Sequence, residues 1–194
     1  KIFFRKSNSI TEWCIKKKIR KKILNLRKKN YNKLLSINNL LVLRLIKKFK
    51  KNKINIGAYY PVNYEIDCLN ILNFLEDKKY SISLPVIKKN RDMNFYKWSF
   101  KDPLRISKFG IPEPLKLKIV KPDVLLIPLV AYDSRFYRIG YGGGYYDRYL
   151  TKIKKIKKIK SIGLAFSFQE VSKIKIDKYD QKLDVILTEK SFIK

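Results

Sequence analysis

The sequence predicts a single α/β domain: a three-layer sandwich in which helices cover a mainly parallel sheet. Segments typical of buried strands alternate with segments typical of helices, which is the pattern of parallel sheets. The chain has 194 residues, 45% of them hydrophobic, which is enough for one sizeable core. Because we find neither an internal repeat nor a dividing linker, residues 1–194 are assigned to one domain.

The first third of the chain predicts three helices. Residues 10–30 form a basic amphipathic helix, because their apolar residues recur at spacings of four and three and share one face. A second helix runs from Ser36, its expected N-cap, to Lys50. A third begins after a cap at Asp67 and runs to about Leu75.

Short apolar segments predict the strands, and Pro61 and Pro85 are expected to end the first two. The alternating segment at residues 93–100 favours an antiparallel strand. Residues 103–122 contain four prolines and are predicted to be a loop. A further helix should span Gly144 to Thr151. The other strands are predicted at Ile54–Tyr60, Tyr80–Leu84, Val124–Pro128, Ser161–Phe166 and Val185–Thr188. The arrangement is Rossmann-like.

The composition excludes several classes of site and protein. There is no histidine, so a histidine base, a Ser-His-Asp triad and a histidine-ligated metal are excluded. Cys14 and Cys68 are too few and too far apart for a disulfide scaffold or a zinc site, and they favour a cytoplasmic compartment. No apolar run approaches the roughly 20 residues that span a bilayer, and we see no secretory signal. A first residue of Lys1 rather than Met is compatible with a missing short leader.

The formal charge of +30 has two interpretations. The first is AT-rich coding, since lysine is accompanied by abundant isoleucine, asparagine and tyrosine. The second is a basic surface that has been selected to bind polyanions. A basic nucleic-acid-binding protein, with lysine on phosphates and tyrosine on bases, therefore stays open as an alternative. The lysine-rich tract at residues 152–160 is expected to be a solvated helix end and connector.

The segment Arg138–Asp147 is the most informative. Four of the seven glycines fall at Gly140 and Gly142 to Gly144, where backbone N–H groups can form a nest for an anion. Arg138 and Arg148 add phosphate donors, and Asp147 is a hard oxygen ligand suited to Mg²⁺. The pattern is neither a Walker loop nor a dinucleotide fingerprint. The alternative is a glycine-rich hairpin without a ligand.

Six blocks of sequence, in order, resemble the 5-formyltetrahydrofolate cyclo-ligase family. The most specific is LIPLVAYD followed, after a short gap, by RIGYGGGYYDRYL, which begins at Arg138. Lys16 and Arg20 are similar to the family's amino-terminal Lys-x-x-x-Arg. The other blocks are Ala58–Asp67, Gly110–Pro114, Gly163–Phe166 and Asp180–Glu189. The resemblance covers most of the chain between Lys16 and Glu189.

The resemblance implies a role for each matching residue. Lys16 and Arg20 would hold ATP phosphates, although a solvated basic face is the alternative. Asp147 and Asp180 would ligate Mg²⁺, with Asp184 as a weaker alternative. Lys16, Arg138 and Tyr145 would act in catalysis. The segment that wraps the triphosphate would consist of Arg138, Ile139, Gly140, Tyr141, Gly142, Gly143, Gly144, Tyr145 and Tyr146.

On the folate side, the resemblance implies contacts from Tyr60, Glu65 and Tyr145, and we add Trp98 as a candidate. The alternatives are a solvated loop position for Glu65 and a core position for Trp98.

The implied activity is the ATP- and Mg²⁺-dependent cyclisation of 5-formyltetrahydrofolate to 5,10-methenyltetrahydrofolate, which belongs to one-carbon metabolism. Its expected partners are small molecules only, without nucleic acid or membrane, and the chain is expected to be a monomer. A basic chain would also steer nucleotides and polyglutamylated folates. Besides the nucleic-acid-binding protein, an inactive folate- or nucleotide-binding relative remains an alternative.

Overall fold

The computed structural model describes residues 4–31, 36–49, 53–88, 90–115, 118–190 and 192–193, with side chains from residue 13 to residue 190 of these ranges. Lys50, the expected end of the second helix, lies outside the described residues. No helix in the described ranges is both long and apolar enough to cross a membrane.

An eight-stranded sheet forms the centre of the molecule, with the strand order β12-β11-β10-β7-β1-β2-β3-β6. Its five central strands are parallel, and the three outer ones are antiparallel to their neighbours. The mainly parallel sheet expected from the sequence is therefore confirmed. The parallel strands are β1 (Asn55–Gly57), β2 (Ser81–Ile87), β7 (Val124–Pro128), β10 (Lys160–Leu164) and β11 (Val185–Leu187); the antiparallel strands are β3 (Met93–Trp98), β6 (Ile119–Val120) and β12 (Phe192–Ile193).

Helices cover both faces of this sheet, which gives the three layers. The helices are α1 (Phe4–Lys29), α2 (Asn39–Lys47), α3 (Leu69–Asp77) and α4 (Tyr145–Ile153). Val124 and Leu126 of β7 face the cluster that contains α2 and α3, whereas Leu125 and Ile127 face the cluster that contains α4. Alternate side chains of a strand point to opposite faces, so β7 is apolar throughout because both of its faces are buried.

One helix start and one strand end differ from the sequence expectation. Helix α2 begins at Asn39. Its N-cap is Asn38 rather than the expected Ser36, because the Asn38 side chain accepts a hydrogen bond from the Leu40 N–H at 2.9 Å. Strand β2 continues through Pro85, which pairs with Phe95 of β3. Proline is tolerated there because the pairing of β1 with β2 ends at Ser83, so no N–H is needed on that side.

The predicted loop at residues 103–122 is wrong in part. It contains an antiparallel pair, β4 (Leu104–Ile106) with β5 (Pro112–Pro114), and the edge strand β6. A second short antiparallel pair, β8 (Ala131–Tyr132) with β9 (Arg138–Ile139), was not expected. This second pair follows β7 and leads into the glycine-rich segment, which is thereby carried beyond the carboxyl end of β7.

Candidate active site

The glycine loop, residues 140–144, connects β9 to the first turn of α4. Gly142 and Gly144 have φ values of 104° and 64°, a region that residues with a Cβ rarely adopt. Gly144 is the N-cap of α4 and makes no side-chain capping hydrogen bond. The chain therefore presents a glycine-rich turn and a helix N-terminus together, and both favour an anion.

Two basic side chains of α1 lie at this site, Arg20 at the loop and Lys16 at Asp180. Arg20 donates from Nε to the Gly140 carbonyl at 2.7 Å, and its Cζ lies 3.6 Å from the position that a Cβ on Gly142 would occupy. Lys16, one turn earlier, lies 2.5 Å from Asp180 Oδ2 and 3.6 Å from Asp177. Burial lowers the pKa of Arg20, while the charge of Asp180 opposes this shift. The four-residue spacing thus brings both cations to one side of the loop.

Arg138 is buried beneath the same loop and joins two segments. Its guanidinium donates to Asp147 Oδ1 and to the Gln181 carbonyl, both at 2.8 Å. The Gln181 N–H also donates to Asp147 Oδ1, at 3.0 Å. Asp147 and Asp180 are therefore held near each other, because Gln181 is the next residue after Asp180.

These two carboxylates fit the requirements of Mg²⁺. Both hydrogen bonds to Asp147 reach Oδ1, so within the described part of the chain Oδ2 carries none. The described residues contain no cluster of three or more potential metal ligands. Mg²⁺ commonly takes one or two protein carboxylates and completes its octahedron with phosphate oxygens and water. A pair of aspartates beside an anion-binding loop meets that need.

Glu65 and Tyr60 lie in the connection that follows β1. The Glu65 side chain is 5% exposed, and Oε2 accepts from the Val62 N–H at 2.8 Å. Burial raises the pKa of Glu65 to about 7, opposed by the Val62 hydrogen bond, the charge of Arg27 and a hydrogen bond from Tyr141. Tyr60 is half-buried near the start of this connection. Glu65 is therefore a buried acid in contact with the glycine loop.

Tyr145 and Tyr146 open helix α4 but point to different surroundings. The Tyr145 ring lies against Gly143, where an added Cβ would be 2.6 Å from Cε2. The Tyr146 hydroxyl is buried and finds no hydrogen-bond partner in the described part of the chain. Burial raises its pKa well above the ordinary value, with Glu65 and Cys68 adding to the shift. The side chain of Tyr146 thus faces the Glu65 side of the site.

Trp98 is not brought to this site. It pairs with Ile82 near the start of β2, at the amino edge of the parallel strands. Its indole N–H donates to the Asp102 carbonyl at 3.2 Å, and its ring packs on Phe100 at 4.7 Å. The proposed folate contact of Trp98 is therefore corrected to a core position.

Arg27 is a residue of the site that sequence reasoning missed. It is 1% exposed, donates to the Leu129 carbonyl at 3.2 Å and also donates to the Tyr141 hydroxyl. Among the residues that the structure describes, its Nε has no hydrogen-bond partner. The available signal was its spacing of seven from Arg20, two helical turns along the same face, but the surrounding lysines concealed it.

Comparison with known proteins points to one family. A sequence model described as the 5-formyltetrahydrofolate cyclo-ligase family matches residues 13–189. The 5-formyltetrahydrofolate cyclo-ligase of Haemophilus influenzae is 32% identical over 140 residues, which is 69% of this chain and 74% of that protein. The enzyme of the same name from Mycoplasma genitalium is 34% identical over 134 residues, 69% of this chain and 71% of that protein.

Solved structures agree with this. The NMR structure of Aquifex aeolicus 5,10-methenyltetrahydrofolate synthetase matches with a TM-score of 0.71 and 28% identity, covering 93% of this chain and 92% of that one. A 5,10-methenyltetrahydrofolate synthetase from Mycoplasma pneumoniae matches with a TM-score of 0.68 over 90% of this chain and 98% of that one, and at 24% identity it supports the fold alone.

Proposed function

This chain belongs to the 5-formyltetrahydrofolate cyclo-ligase family, and we propose that it uses Mg²⁺ and ATP to close a ring on 5-formyltetrahydrofolate. It is a ligase, and its products are 5,10-methenyltetrahydrofolate, ADP and phosphate. The observation that carries the proposal is that three cations lie at the glycine loop and at the two aspartates beside it: Arg20 donates to the Gly140 carbonyl, Arg138 to Asp147 and Lys16 to Asp180.

The glycine loop is proposed to hold the triphosphate of ATP. Its backbone N–H groups and the first turn of α4 would bind phosphate oxygens, with the Arg20 guanidinium alongside Gly142. Lys16 is paired with Asp180 at 2.5 Å, so nucleotide binding would exchange or share that partner. Arg138 is tied to Asp147 beneath the loop and would keep the loop in its binding conformation.

Asp147 and Asp180 would hold the Mg²⁺ that accompanies ATP. When bound, this ion draws negative charge from the transferring phosphoryl group. Oδ2 of Asp147 is the oxygen available to it among the described contacts, since Oδ1 serves Arg138 and the Gln181 N–H.

The reaction itself needs little acid–base chemistry. The formyl oxygen attacks the γ-phosphorus of ATP and ADP leaves, which gives an iminophosphate. N10 of the folate then attacks the activated carbon, phosphate departs with the former formyl oxygen, and the N10 proton is lost. Positioning and charge stabilisation by Lys16, Arg138 and the loop N–H groups would supply the catalysis, as fits a chain without histidine.

Glu65 and Tyr60 are proposed to bind the folate, with Tyr145 at the junction between folate and phosphates. An ionised carboxylate only accepts hydrogen bonds, so Glu65 can pair with the N–H groups of the pterin ring. Because Glu65 is buried, such a bond would be strengthened by the low local dielectric.

The absorbance of the methenyl product gives a direct test. We expect it to grow when the protein is mixed with MgATP and 5-formyltetrahydrofolate, and not when ATP is omitted. Purified, folded protein that produces no methenyl absorbance would overturn the proposed function. Growth without ATP would overturn the phosphoryl-transfer chemistry.

We also propose a monomeric enzyme of the reducing cytoplasm, with neither nucleic acid nor a membrane as a partner. Cys14 and Cys68 are both free thiols, and Cys68 is buried. Light scattering should give the mass of one chain, and the purified protein should carry no nucleic-acid absorbance; a stable dimer or co-purified RNA would contradict this.

A further inference from the structure

We propose that Arg27 is a positioning residue which, through the Tyr141 hydroxyl, fixes the Glu65 carboxylate and joins it to the glycine loop. The inference rests on the proposed function, because it takes Glu65 as the group that binds the pterin. It adds two side chains, Arg27 and the phenol of Tyr141, to the folate side of the site.

The direction of the hydrogen bonds follows from chemistry. A guanidinium only donates, and an ionised carboxylate only accepts. Arg27 donates from Nη2 to the Tyr141 hydroxyl, and Tyr141 hydrogen-bonds to Glu65. The hydroxyl must therefore accept from Arg27 and donate to Glu65. A phenol between a cation and an anion has one favourable orientation, so this chain of bonds holds the carboxylate in one place.

The burial of Arg27 indicates that its charge has a specific role in the structure. A buried charge is costly unless it is paired and hydrogen-bonded. Arg27 reaches the Leu129 carbonyl at the end of β7, and its guanidinium lies 5.7 Å from the centre of the Tyr141 ring. Its charge also favours the ionised form of Glu65. The guanidinium of Arg27 thus interacts with the edge of the sheet, with the glycine loop through Tyr141 and with Glu65 on the folate side.

Glu65 also sits on a strained turn. Asn63 and Tyr64 have φ values of 50° and 60°, in the left-handed region that residues with a Cβ rarely adopt. Tyr31, just beyond α1, packs on the Tyr64 ring with the ring centres 5.3 Å apart. The carboxyl end of α1 therefore supports this turn twice, once through Tyr31 and once through Arg27.

The groups around Glu65 determine the direction in which its pKa should change in a variant. The groups that act on it are the Val62 N–H, Arg27 and Tyr141, each of which favours the carboxylate, while burial favours the acid. Tyr59, Cys68 and Tyr146 are the other titratable groups coupled to it. Removing the Tyr141 hydroxyl takes away one donor, so the pKa of Glu65 should rise further above 7.

Tyr141→Phe is the main test, because it keeps the ring and removes only the hydroxyl. We expect the KM for 5-formyltetrahydrofolate to rise roughly tenfold, as for a lost hydrogen bond to a charged group, with a smaller change in kcat. The acidic limb of the pH profile of kcat/KM should move to higher pH. A variant with unchanged KM and an unchanged profile would overturn the inference.

Arg27→Lys tests the geometry of the fork, since an ammonium keeps the charge but cannot reproduce two fixed directions. It should raise the folate KM in the same sense as Tyr141→Phe, and the double variant should lose little more than the worse single variant. Fully additive losses would show that the two side chains act separately and would overturn the relay. Tyr149→Phe removes the hydroxyl of a buried tyrosine outside the site, whereas Tyr141 is 43% exposed; this control variant should leave both KM and the profile unchanged.

The two levels of proposal fail differently. If the wild-type protein produces no methenyl absorbance, the proposed function fails. If the wild type turns over normally and Tyr141→Phe matches it at every pH, only the role of Arg27 and Tyr141 fails. Thermal unfolding of each variant checks that a raised KM is measured on folded protein.

Discussion

Asp147 shows how one carboxylate can serve structure and catalysis together. Its Oδ1 accepts from the buried Arg138 and from the Gln181 N–H, while its other oxygen accepts no hydrogen bond among the described residues and would be the ligand in the proposed metal site. The two duties can be separated by substitution, because the side-chain oxygen of asparagine can keep both hydrogen bonds but is a poorer ligand for Mg²⁺.

We therefore expect Asp147→Asn to fold normally and to lose turnover roughly 100-fold at ordinary Mg²⁺ concentrations. The measurement is kcat across a Mg²⁺ titration, with circular dichroism to confirm the fold. Asp92→Asn removes an exposed carboxylate that pairs with Lys152 at 2.6 Å and should change neither quantity. Full turnover by Asp147→Asn would remove Asp147 from the metal site.

Glu65 predicts a specific pH dependence of stability. Its pKa rises from an ordinary 4.5 to about 7 in the folded protein, so the native state binds more protons than the unfolded state between those values. The contribution is fully present below pH 4.5 and is lost as the pH rises through 7. The difference in unfolding free energy between wild type and Glu65→Gln should therefore shift by about 3 kcal/mol between pH 5 and pH 8, against the wild type. Urea unfolding at several pH values measures this, and a constant difference would contradict the burial argument.

At the scale of elements, the sequence determined the parallel strands best. Apolar runs such as Val124–Pro128 are buried on both faces, and this burial is what the pattern reports. The antiparallel pairs β4–β5 and β8–β9 were not predicted, because strands of two or three residues have too short a pattern to register. The start of α2 was misplaced because Ser36 and Asn38 are both good N-caps, and only the tertiary fold selects between them.

The candidate site could likewise be predicted from the sequence only where its residues form a local pattern. The glycine loop and the pair Lys16 and Arg20 are local in sequence, so spacing alone places them together. Arg27 and Glu65 meet only through Tyr141, across three separate segments, and no local pattern records that contact. Trp98 shows the opposite error. An aromatic side chain could have packed on the ring of a ligand, but in the structure it packs in the hydrophobic core.

The loop's glycines can be tested against a glycine elsewhere. Gly142 and Gly110 both have positive φ, 104° and 71°, so alanine at either position should cost about 1–3 kcal/mol of stability. A Cβ on Gly142 would also enter the space beside the Arg20 guanidinium. We expect Gly142→Ala to raise the KM for ATP at least tenfold and Gly110→Ala to leave it unchanged. Equal KM values for the two variants would place ATP away from the loop.

Strand β1 offers a test of the sheet. A Cβ on Gly57 would lie 2.6 Å from Leu125, 2.7 Å from Pro122 and 2.9 Å from Phe95, so these three side chains must shift to accept it. Overpacking of this kind costs about 1–3 kcal/mol. Gly57→Ala should lower the urea midpoint without changing the slope of the transition. An unchanged midpoint would mean that the side chains around Gly57 adjust without a loss of stability.

On the scale of the whole molecule, helix α1 connects the parts of the site. Lys16 reaches Asp180, Arg20 reaches the Gly140 carbonyl, and Arg27 reaches Tyr141. Ile23 packs between them against Ile139 and Ile174. A single rigid element thus holds the proposed phosphate and folate positions at a fixed separation. Most of the other lysines and arginines whose side chains the structure describes are exposed, and such charges act on substrates through the long-range field.

The net charge of +30 makes that field measurable. ATP and folate are anions, and steering by exposed lysines is screened over a Debye length of about 8 Å at physiological salt. If the charge guides substrates, kcat/KM for ATP should fall roughly tenfold between about 20 mM and 300 mM NaCl, while kcat at saturation stays constant. An uncharged osmolyte at matched osmolarity should have no such effect. A kcat/KM that is flat across the salt series would leave AT-rich coding as the account of the lysines, since a surface selected for polyanions must respond to screening.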